Sequence, residues 1–294
     1  MRSRTYVFQG IPRLYVWGQR IRYSLTYWLG LLLLFLFSVI VLAPLVWTFS
    51  TSLRLPIESF SLPPKWFPTN PQWSNYLQVF RTTPFGRYLV NSAAVTVSVV
   101  LGQLVTACLA GYAFAQLEFP GKKVLFWVVM ATMMLPLQAT IIPVFVLISK
   151  LGLSDTRTGL ILPALPTAFG TFLLRQYFLT APKEFEEAAE IDGANPFQAF
   201  FQVYMPLAAP GLAVLAVLAF NGYWNEFFRP LIFLSSQDLL TLPLGLVRLV
   251  GYERTGSISV VFAGVMLSLI PVLIVYAFGQ RFLIEGIMQG GVKA

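Results

Sequence analysis

Long apolar runs recur along the chain and are separated by short polar segments. A helix needs about 20 apolar residues to cross the hydrocarbon core of a bilayer. Six runs reach that length and predict spans at residues 27–49, 89–116, 124–148, 159–178, 206–234 and 260–283. Backbone polar groups within lipid must be satisfied inside the segment, which favours helices. The pattern predicts an all-α integral membrane protein with both termini on the same side.

The segments outside the apolar runs predict the organisation and orientation of the chain. Residues 27–294 are expected to form one membrane domain, preceded by an N-terminal segment at residues 1–26. That segment is basic and carries Arg2, Arg4, Arg13, Arg20 and Arg22. Basic residues before the first span favour the cytoplasm, and the first run is too long for a cleaved signal peptide. We expect both termini in the cytoplasm and an external loop at residues 51–87.

Composition indicates a lipid-facing surface and excludes several classes of function. The chain is 57% hydrophobic and 11% charged, whereas a soluble domain carries roughly a quarter charged residues. The net charge of +8 comes from cations scattered at span ends, so nucleic acid is not an expected partner. The chain lacks histidine, and Cys108 is its single cysteine. These counts exclude an intrachain disulfide, histidine-containing zinc sites and serine–histidine catalysis, and Cys108 is expected to be an inert packing residue.

The sequence also lacks a GxxxxGK[ST] phosphate-binding loop. We therefore expect no ATP hydrolysis by this chain, no catalytic residues, and no metal or cofactor of its own.

Small residues and prolines within the runs predict how the spans pack and bend. Gly102, Thr106 and Ala110 recur at every fourth position, which favours close helix approach in lipid. Several predicted spans contain proline, namely Pro136, Pro143, Pro163, Pro166, Pro210 and Pro271. Such prolines either kink a helix or break it where irregular backbone lines a cavity, and the sequence leaves both possibilities open.

The polar loop at residues 180–205 predicts two short helices with a sharp turn between them. Thr180 is a candidate cap and Pro182 suits a first turn. Gly193 is placed to end the first helix in a left-handed conformation. The second helix is expected from Pro196 to Tyr204, with an aromatic face formed by Phe197, Phe200, Phe201 and Tyr204. The loop either contacts a partner or packs on its own helix bundle, and the residues alone leave both readings open.

Several motifs resemble one family of transport proteins. The stretch Glu187-Ala-Ala-Glu-Ile-Asp-Gly-Ala, followed by Pro206 and Pro210, resembles the EAA loop of permeases in bacterial ATP-binding-cassette (ABC) importers. Other segments are similar to the MalG-like permeases of carbohydrate uptake, namely Met134-Leu-Pro-Leu-Gln138, Gly159-Leu-Ile-Leu-Pro163, Trp224-Asn-Glu-Phe227 and Gly290-Gly-Val-Lys293. The resemblance implies the permease fold of type I ABC importers and a location in the bacterial inner membrane.

The same resemblance implies partners and a coupling site. The EAA loop would dock on cytoplasmic ATPase subunits that work as a pair and bind ATP and Mg²⁺. A second, MalF-like permease and an external solute-binding protein would complete the importer. The residues carried over to the coupling site are Glu187, Ala188, Ala189, Asp192, Gly193, Ala194 and Pro206.

Polar residues within the predicted fifth span are candidates for a substrate path. A strongly polar side chain inside a span is costly and therefore marks a possible site. Amide and aromatic groups suit sugar hydroxyls and the apolar faces of sugar rings. The candidates are Asn221, Tyr223, Trp224 and Asn225, with Gln138 in the third span. The alternative is hydrogen bonding between helices or with the partner permease, which is the favoured reading for Glu226.

We expect a permease subunit that moves a sugar or related polyol into the cytoplasm by alternating access, driven by its partner ATPases. The alternative is a secondary transporter or channel that acts alone. Scarce charges within the spans and the absence of histidine argue against ion coupling. The sequence does not identify the solute among sugars, oligosaccharides, polyols and glycerol phosphates.

Overall fold

The structure is a computed structural model that describes residues 13–55, 58, 66–252 and 257–291. Every regular element within these ranges is a helix, as the apolar pattern predicts. Three helices contain enough apolar sequence to cross a bilayer unaided, namely α1 (Arg13–Ser52), α3 (Phe85–Gln116) and α14 (Ile258–Gly291). Residues 1–12 and 292–294 lie outside the described ranges, so the N-terminal arginines before Arg13 and the end of the terminal glycine motif are not placed.

The other apolar segments are pairs of helices with a bend between them. In the first pair, α4 (Lys122–Thr132) and α5 (Leu137–Lys150) meet at a bend of 103°. In the second, the segment Arg157–Ala164, which begins with α6 (Arg157–Ile161), meets α7 (Ala168–Thr180) at a bend of 43°. In the third, the segment Phe197–Leu207 meets α11 (Ala209–Trp224) at a bend of 71°. If each pair forms one span, the described helices provide up to six crossings by length and composition.

Proline accounts for the positions of these bends. Pro136 directly precedes α5, Pro166 lies between α6 and α7, and Pro210 lies in the first turn of α11. Proline has no N–H and clashes with the preceding helical turn, so the hydrogen-bond ladder stops before it. Pro143 and Pro271, in contrast, remain inside α5 and α14. Only some of the span prolines therefore interrupt a helix.

The helix that carries the fifth predicted span, residues 206–234, ends earlier than expected. α11 stops at Trp224, and a separate short helix, α12 (Phe228–Phe233), follows. The backbone N–H and the side-chain Nδ2 of Asn225 both donate to the Asn221 carbonyl, at 3.4 and 2.9 Å. Asn225 thus caps the last turn of α11, and Pro230 opposes a continued helix because its ring would clash with the Glu226 carbonyl.

Two further helices lie outside the predicted spans. α2 (Ser74–Thr82) lies within the loop at residues 51–87, and α13 (Leu242–Tyr252) follows α12. We call the end of the bundle that carries α2, α12 and α13 the cap end. Asn75 holds α2 to the end of α1, because its Nδ2 donates to the Ser52 and Arg54 carbonyls at 2.9 Å each.

The cap end is fixed to the bundle by polar contacts. Asn91 of α3 donates from Nδ2 to the carbonyls of Asp238 and Leu240 at 2.8 and 2.9 Å. Asp155, in the turn before α6, accepts hydrogen bonds from the Ser236 hydroxyl and the backbone N–H groups of Ser235 and Ser236. The Ser236 contacts hold the pKa of Asp155 below its usual value.

The spans pack closely along α3, as the row of small residues predicts. A Cβ added to Gly102 would lie 2.3 Å from the Leu165 side chain, and the Thr106 hydroxyl donates to the Leu165 carbonyl at 2.7 Å. At Gly111, an added Cβ would lie 3.0 Å from the Arg175 backbone nitrogen. α3 and α7 therefore approach each other at backbone distance. By contrast, the apolar window of α1 is 0% buried and is free to face lipid or a partner.

Candidate coupling loop and translocation path

The loop at residues 180–205 contains the two short helices that the sequence predicts. α8 spans Lys183–Ile191, and α9 spans Pro196–Ala199. The predicted capping role of Thr180 is wrong, because Thr180 ends α7 and its hydroxyl donates to the Tyr177 carbonyl at 2.8 Å. Pro182 directly precedes α8, where its lack of an N–H is harmless.

Gly193 ends α8 in the left-handed conformation that its position predicts. Its φ is +82°, and the backbone N–H of Ala194 donates to the Ala189 carbonyl at 2.9 Å. This six-residue closure is the Schellman motif, which satisfies a terminal carbonyl and reverses the chain direction. The turn therefore depends on a residue without a Cβ at position 193.

A reciprocal pair of side-chain contacts then starts α9. The Asn195 Oδ1 accepts from the backbone N–H of Gln198 at 3.0 Å, and the Gln198 Oε1 accepts from the backbone N–H of Asn195 at 2.8 Å. This capping box fixes the first turn of the second helix. Only two residues, Ala194 and Asn195, separate the Schellman turn from α9, so the two helices have little freedom relative to each other.

An aromatic cluster joins the loop to the spans. After α9 the chain forms a π-helical turn, Phe200–Tyr204, and then α10 (Met205–Leu207). Phe200 and Tyr204 are buried, and their ring centroids lie 4.9 and 5.2 Å from that of Tyr112 in α3. Phe178 of α7 lies 5.9 Å from Tyr112 and 6.1 Å from Tyr204. We call these four residues the aromatic tether.

The predicted single aromatic face of the second helix is wrong. Phe197 and Phe201 are 76% and 60% exposed, whereas Phe200 and Tyr204 are buried. The π-helical turn accounts for this separation, because its smaller rotation per residue turns Tyr204 toward Phe200 and away from the side of Phe201. The loop therefore has a buried aromatic side that contacts the spans and an exposed aromatic side that faces away.

The residues predicted for coupling lie mainly on the exposed surface. Glu187, Ala188, Asp192, Gly193 and Pro206 are exposed, and Ala189 and Ala194 are half-buried. Ile191 is 86% exposed and Phe185 is 54% exposed on the same short helix. Exposed apolar groups beside carboxylates and small alanines form a surface that a partner can approach closely. We call the end of the bundle that carries this surface the coupling end.

The path candidates differ in accessibility. Asn221 and Asn225 are exposed at the end of α11, and Gln138 is exposed at the start of α5. Tyr223 is half-buried, and Trp224 is only 4% exposed. The Trp224 indole N–H donates to the Ser268 carbonyl at 3.1 Å. Its ring stacks on Phe220.

A buried polar network lies beside these residues. Glu226 and Arg229 form a two-point ion pair, in which Arg229 Nη2 lies 2.8 Å from Glu226 Oε2, and the side chains are 13% and 7% exposed. The Arg229 guanidinium lies 5.0 Å from the centroid of the Tyr223 ring. The Tyr223 hydroxyl accepts from Gln103 Nε2 at 2.8 Å, and Gln103 also donates to the Ala164 carbonyl at 2.8 Å. Glu226 therefore has a partner within its own chain.

Sequence reasoning missed Gln103 and Arg229 as members of this network. Glu226 and Arg229 are three positions apart, so helical spacing could have indicated the pair. The contact between Gln103 and Tyr223 joins residues far apart in sequence, and no local pattern predicts it.

Comparison with known proteins identifies the family. The profile of the family described as "Binding-protein-dependent transport system inner membrane component" matches residues 103–286, which include the coupling loop and α11. The chain belongs to this family. The permease is 34% identical to the diacetylchitobiose uptake system permease NgcG of Streptomyces coelicolor, over 88% of this chain and 86% of the relative. It is 34% identical to the sn-glycerol-3-phosphate permease UgpE of Pectobacterium atrosepticum, over 79% and 85%.

Solved structures agree with this assignment. A chain of a bacterial ABC transporter involved in the import of the acidic polysaccharide alginate superposes with a TM-score of 0.77 and 28% identity, covering 93% of the permease and 99% of that chain. A second alginate transporter chain, in complex with a periplasmic protein bound to an alginate pentasaccharide, superposes with a TM-score of 0.65 at 14% identity and supports the fold alone. The permease is therefore an ABC importer component, and its EAA loop is typical of the family.

Proposed function

We propose that this permease imports a sugar or a related polyol and that α8 is the helix through which partner ATPases drive it. The observation that carries the proposal is the construction of the coupling loop. α8 presents a polar and apolar surface outward, while the π-helical turn behind it is held to α3 and α7 by the aromatic tether. A force applied to α8 therefore reaches two spans through the π-helical turn.

The proposed cycle follows from this arrangement. ATP binding closes a pair of cytoplasmic ATPases, which hold ATP and Mg²⁺, and moves α8. The permease and a second, MalF-like permease then rock between inward-open and outward-open states, because ATP binding favours one of two packed arrangements. A solute-binding protein delivers the solute at the cap end. In this scheme the coupling end and both termini lie in the cytoplasm.

The proposed path runs past the exposed amides of Asn221, Asn225 and Gln138. Amides donate and accept hydrogen bonds and so match sugar hydroxyls. Trp224 is buried in this conformation, so we assign it the role of holding the end of α11 against α14. Sugars are favoured because relatives named for diacetylchitobiose and arabinooligosaccharide uptake resemble this chain over 88% and 74% of its length.

A direct test uses the single cysteine of the chain. Cys108 is the single cysteine of the chain and is buried. In a Cys108→Ala background, a newly introduced cysteine is therefore the sole thiol of the permease that can react. Ala188→Cys on this background should form a cross-link to an ATPase subunit in the purified importer, and a membrane-impermeant thiol reagent should label it only from the cytoplasmic side. Ala139→Cys, which is also at an exposed position but lies on α5, should form no such cross-link.

The same purified importer distinguishes an ATP-driven importer from a secondary transporter or channel that acts alone. An importer hydrolyses ATP faster when loaded binding protein is added, and it takes up solute only with ATP. Uptake by the purified chain without ATP would establish the stand-alone transporter instead, and labelling of Ala188→Cys from outside would overturn the coupling role of α8. A panel of sugars, polyols and glycerol phosphates in the uptake assay then identifies the solute.

A further inference from the structure

A cavity of about 750 Å³ opens between α3, α4 and α7 at the coupling end, apart from the coupling surface and the path. Its lining combines three cations, one carboxylate and aromatic rings. The residues that matter are Glu118, Lys122, Lys123, Phe126, Trp127 and Arg175. The lining of the cavity thus carries a net positive charge. The cavity lies where a span meets the end of the bundle.

Two of the three cations of this cavity contact groups on the helices around it. Arg175 Nε donates to the Phe114 carbonyl at 3.1 Å, and its guanidinium lies 4.3 Å from the centroid of the Phe126 ring. Lys122 Nζ lies 3.1 Å from Glu118 Oε1, whose side chain is 90% exposed. Lys123 is exposed at the start of α4. Two ordered cations and one exposed cation therefore surround the cavity.

A second cavity of about 420 Å³ adjoins the first at Phe114 and continues along the same helices. It is deeper, because Thr132 on its wall lies ten residues along α4 from Lys122, a rise of about 15 Å. That distance is roughly half the thickness of a hydrocarbon core. The paired cavities thus extend from the end of the bundle toward the bilayer centre.

The deeper cavity is apolar although threonines line it. The hydroxyls of Thr106, Thr132 and Thr171 donate to the carbonyls of Leu165, Val129 and Thr167 at 2.7, 2.7 and 2.8 Å. These three hydroxyls have used their donor capacity within the protein, so little polar surface remains for a ligand. This cavity therefore suits a hydrocarbon chain better than a sugar.

We propose that the two cavities form one site for an anionic phospholipid. The phosphate group lies among Lys122, Lys123 and Arg175, and an acyl chain lies in the deeper cavity. Basic pockets between spans bind anionic headgroups on the cytoplasmic side, and the exposed indole of Trp127 marks the interface. The assignment to the cytoplasmic leaflet rests on the proposed function. Because Arg175 belongs to α7, the lipid contacts the helix that leads into α8.

The test compares lipid retention by the purified importer. The complex is exchanged with equal amounts of phosphatidylglycerol and phosphatidylcholine of matched acyl chains and examined by native mass spectrometry. The wild type should retain phosphatidylglycerol preferentially. Lys123→Gln should lower its affinity about fivefold, the factor that corresponds to roughly 1 kcal/mol per cation near an anionic surface. The control Lys150→Gln removes the same charge from an exposed residue at the other end of the span and should leave retention unchanged.

A second variant tests the acyl-chain cavity without changing charge. Thr132→Phe places a ring in the deeper cavity from an exposed position on α4 and should also reduce retention. Equal retention of both lipids, or an equal loss in Lys150→Gln, would overturn the site. Displacement of the lipid by inorganic phosphate, or a cross-link from Thr132→Cys to the partner permease, would likewise assign the cavity to another occupant. ATP-driven uptake is measured separately, so failure of the proposed function does not mimic failure of the lipid site.

Discussion

Gly193 offers the sharpest perturbation of the coupling mechanism. Its φ of +82° belongs to the region that residues with a Cβ rarely adopt, and a Cβ added there would meet no atom within 4 Å. Gly193→Val therefore acts through its own local backbone conformation, because its Cβ does not clash with any other part of the fold. We expect the variant to insert and assemble normally and to lose stimulation of ATP hydrolysis by loaded binding protein.

The magnitude follows from the conformational cost. A left-handed conformation costs an L-residue about 1–2 kcal/mol, and the branched side chain of valine makes the cost larger. One or two kcal/mol lowers the ratio of intact to open turn by about five- to thirtyfold. When the turn opens, the bond from the Ala194 N–H to the Ala189 carbonyl is lost, and α8 no longer keeps its direction relative to α9.

Gly152 supplies a matched control at the opposite end of the bundle. Its φ is +70°, and an added Cβ would also meet no atom within 4 Å, so Gly152→Val carries the same kind of backbone penalty. The assay is ATP hydrolysis by the importer in lipid nanodiscs, with and without loaded binding protein. Stimulation should fall about fivefold or more in Gly193→Val and persist in Gly152→Val. Equal stimulation in the two variants would refute the reasoning.

Two further predictions concern the tether and the buried ion pair. Tyr112→Leu removes three ring contacts, each worth about 0.5–1.5 kcal/mol beyond burial. The variant should show reduced stimulated ATP hydrolysis and reduced uptake, while basal ATP hydrolysis persists. Unchanged uptake would argue against the tether. Glu226→Gln leaves Arg229 buried without its counter-charge and should destabilise the permease by roughly 3–5 kcal/mol, seen as a lower Tm in detergent. The double variant Glu226→Gln/Arg229→Met should recover much of that loss, and an equally low Tm would contradict the ion-pair explanation.

The coupling loop could be predicted from the sequence because its signals are local. A glycine that ends a helix acts within a few residues of itself, and Gly193 ends α8 as expected. The capping box of Asn195 and Gln198 is equally local. The π-helical turn was not predictable in this way. It depends on Tyr112 and Phe178, which belong to two different spans and fix the side that each aromatic ring faces.

The cap end shows the opposite case. α2 and α13 have 9 and 11 residues, too few to register as apolar spans. Their positions are set by contacts between distant residues, such as Asn91 with the carbonyls of Asp238 and Leu240. The early end of α11 was not predicted either, because the apolar count over residues 206–234 masked the local signals of Asn225 and Pro230.

Hydrogen bonds join α3 to the segment formed by α6 and α7 along their whole length. The bonds are Arg157 to Asn91 at 2.7 Å, Gln103 to the Ala164 carbonyl at 2.8 Å, Thr106 to the Leu165 carbonyl at 2.7 Å, Arg175 to the Phe114 carbonyl at 3.1 Å, and Gln116 to the Phe178 carbonyl at 2.7 Å. Bonds at both ends and in the middle oppose sliding and splaying of the two elements. A displacement of α8 that reaches α3 and α7 through the tether is therefore expected to move them together as a rigid unit. The bend of 103° between α4 and α5 lies outside this rigid unit. Motion of the unit relative to α5 should therefore concentrate at that bend.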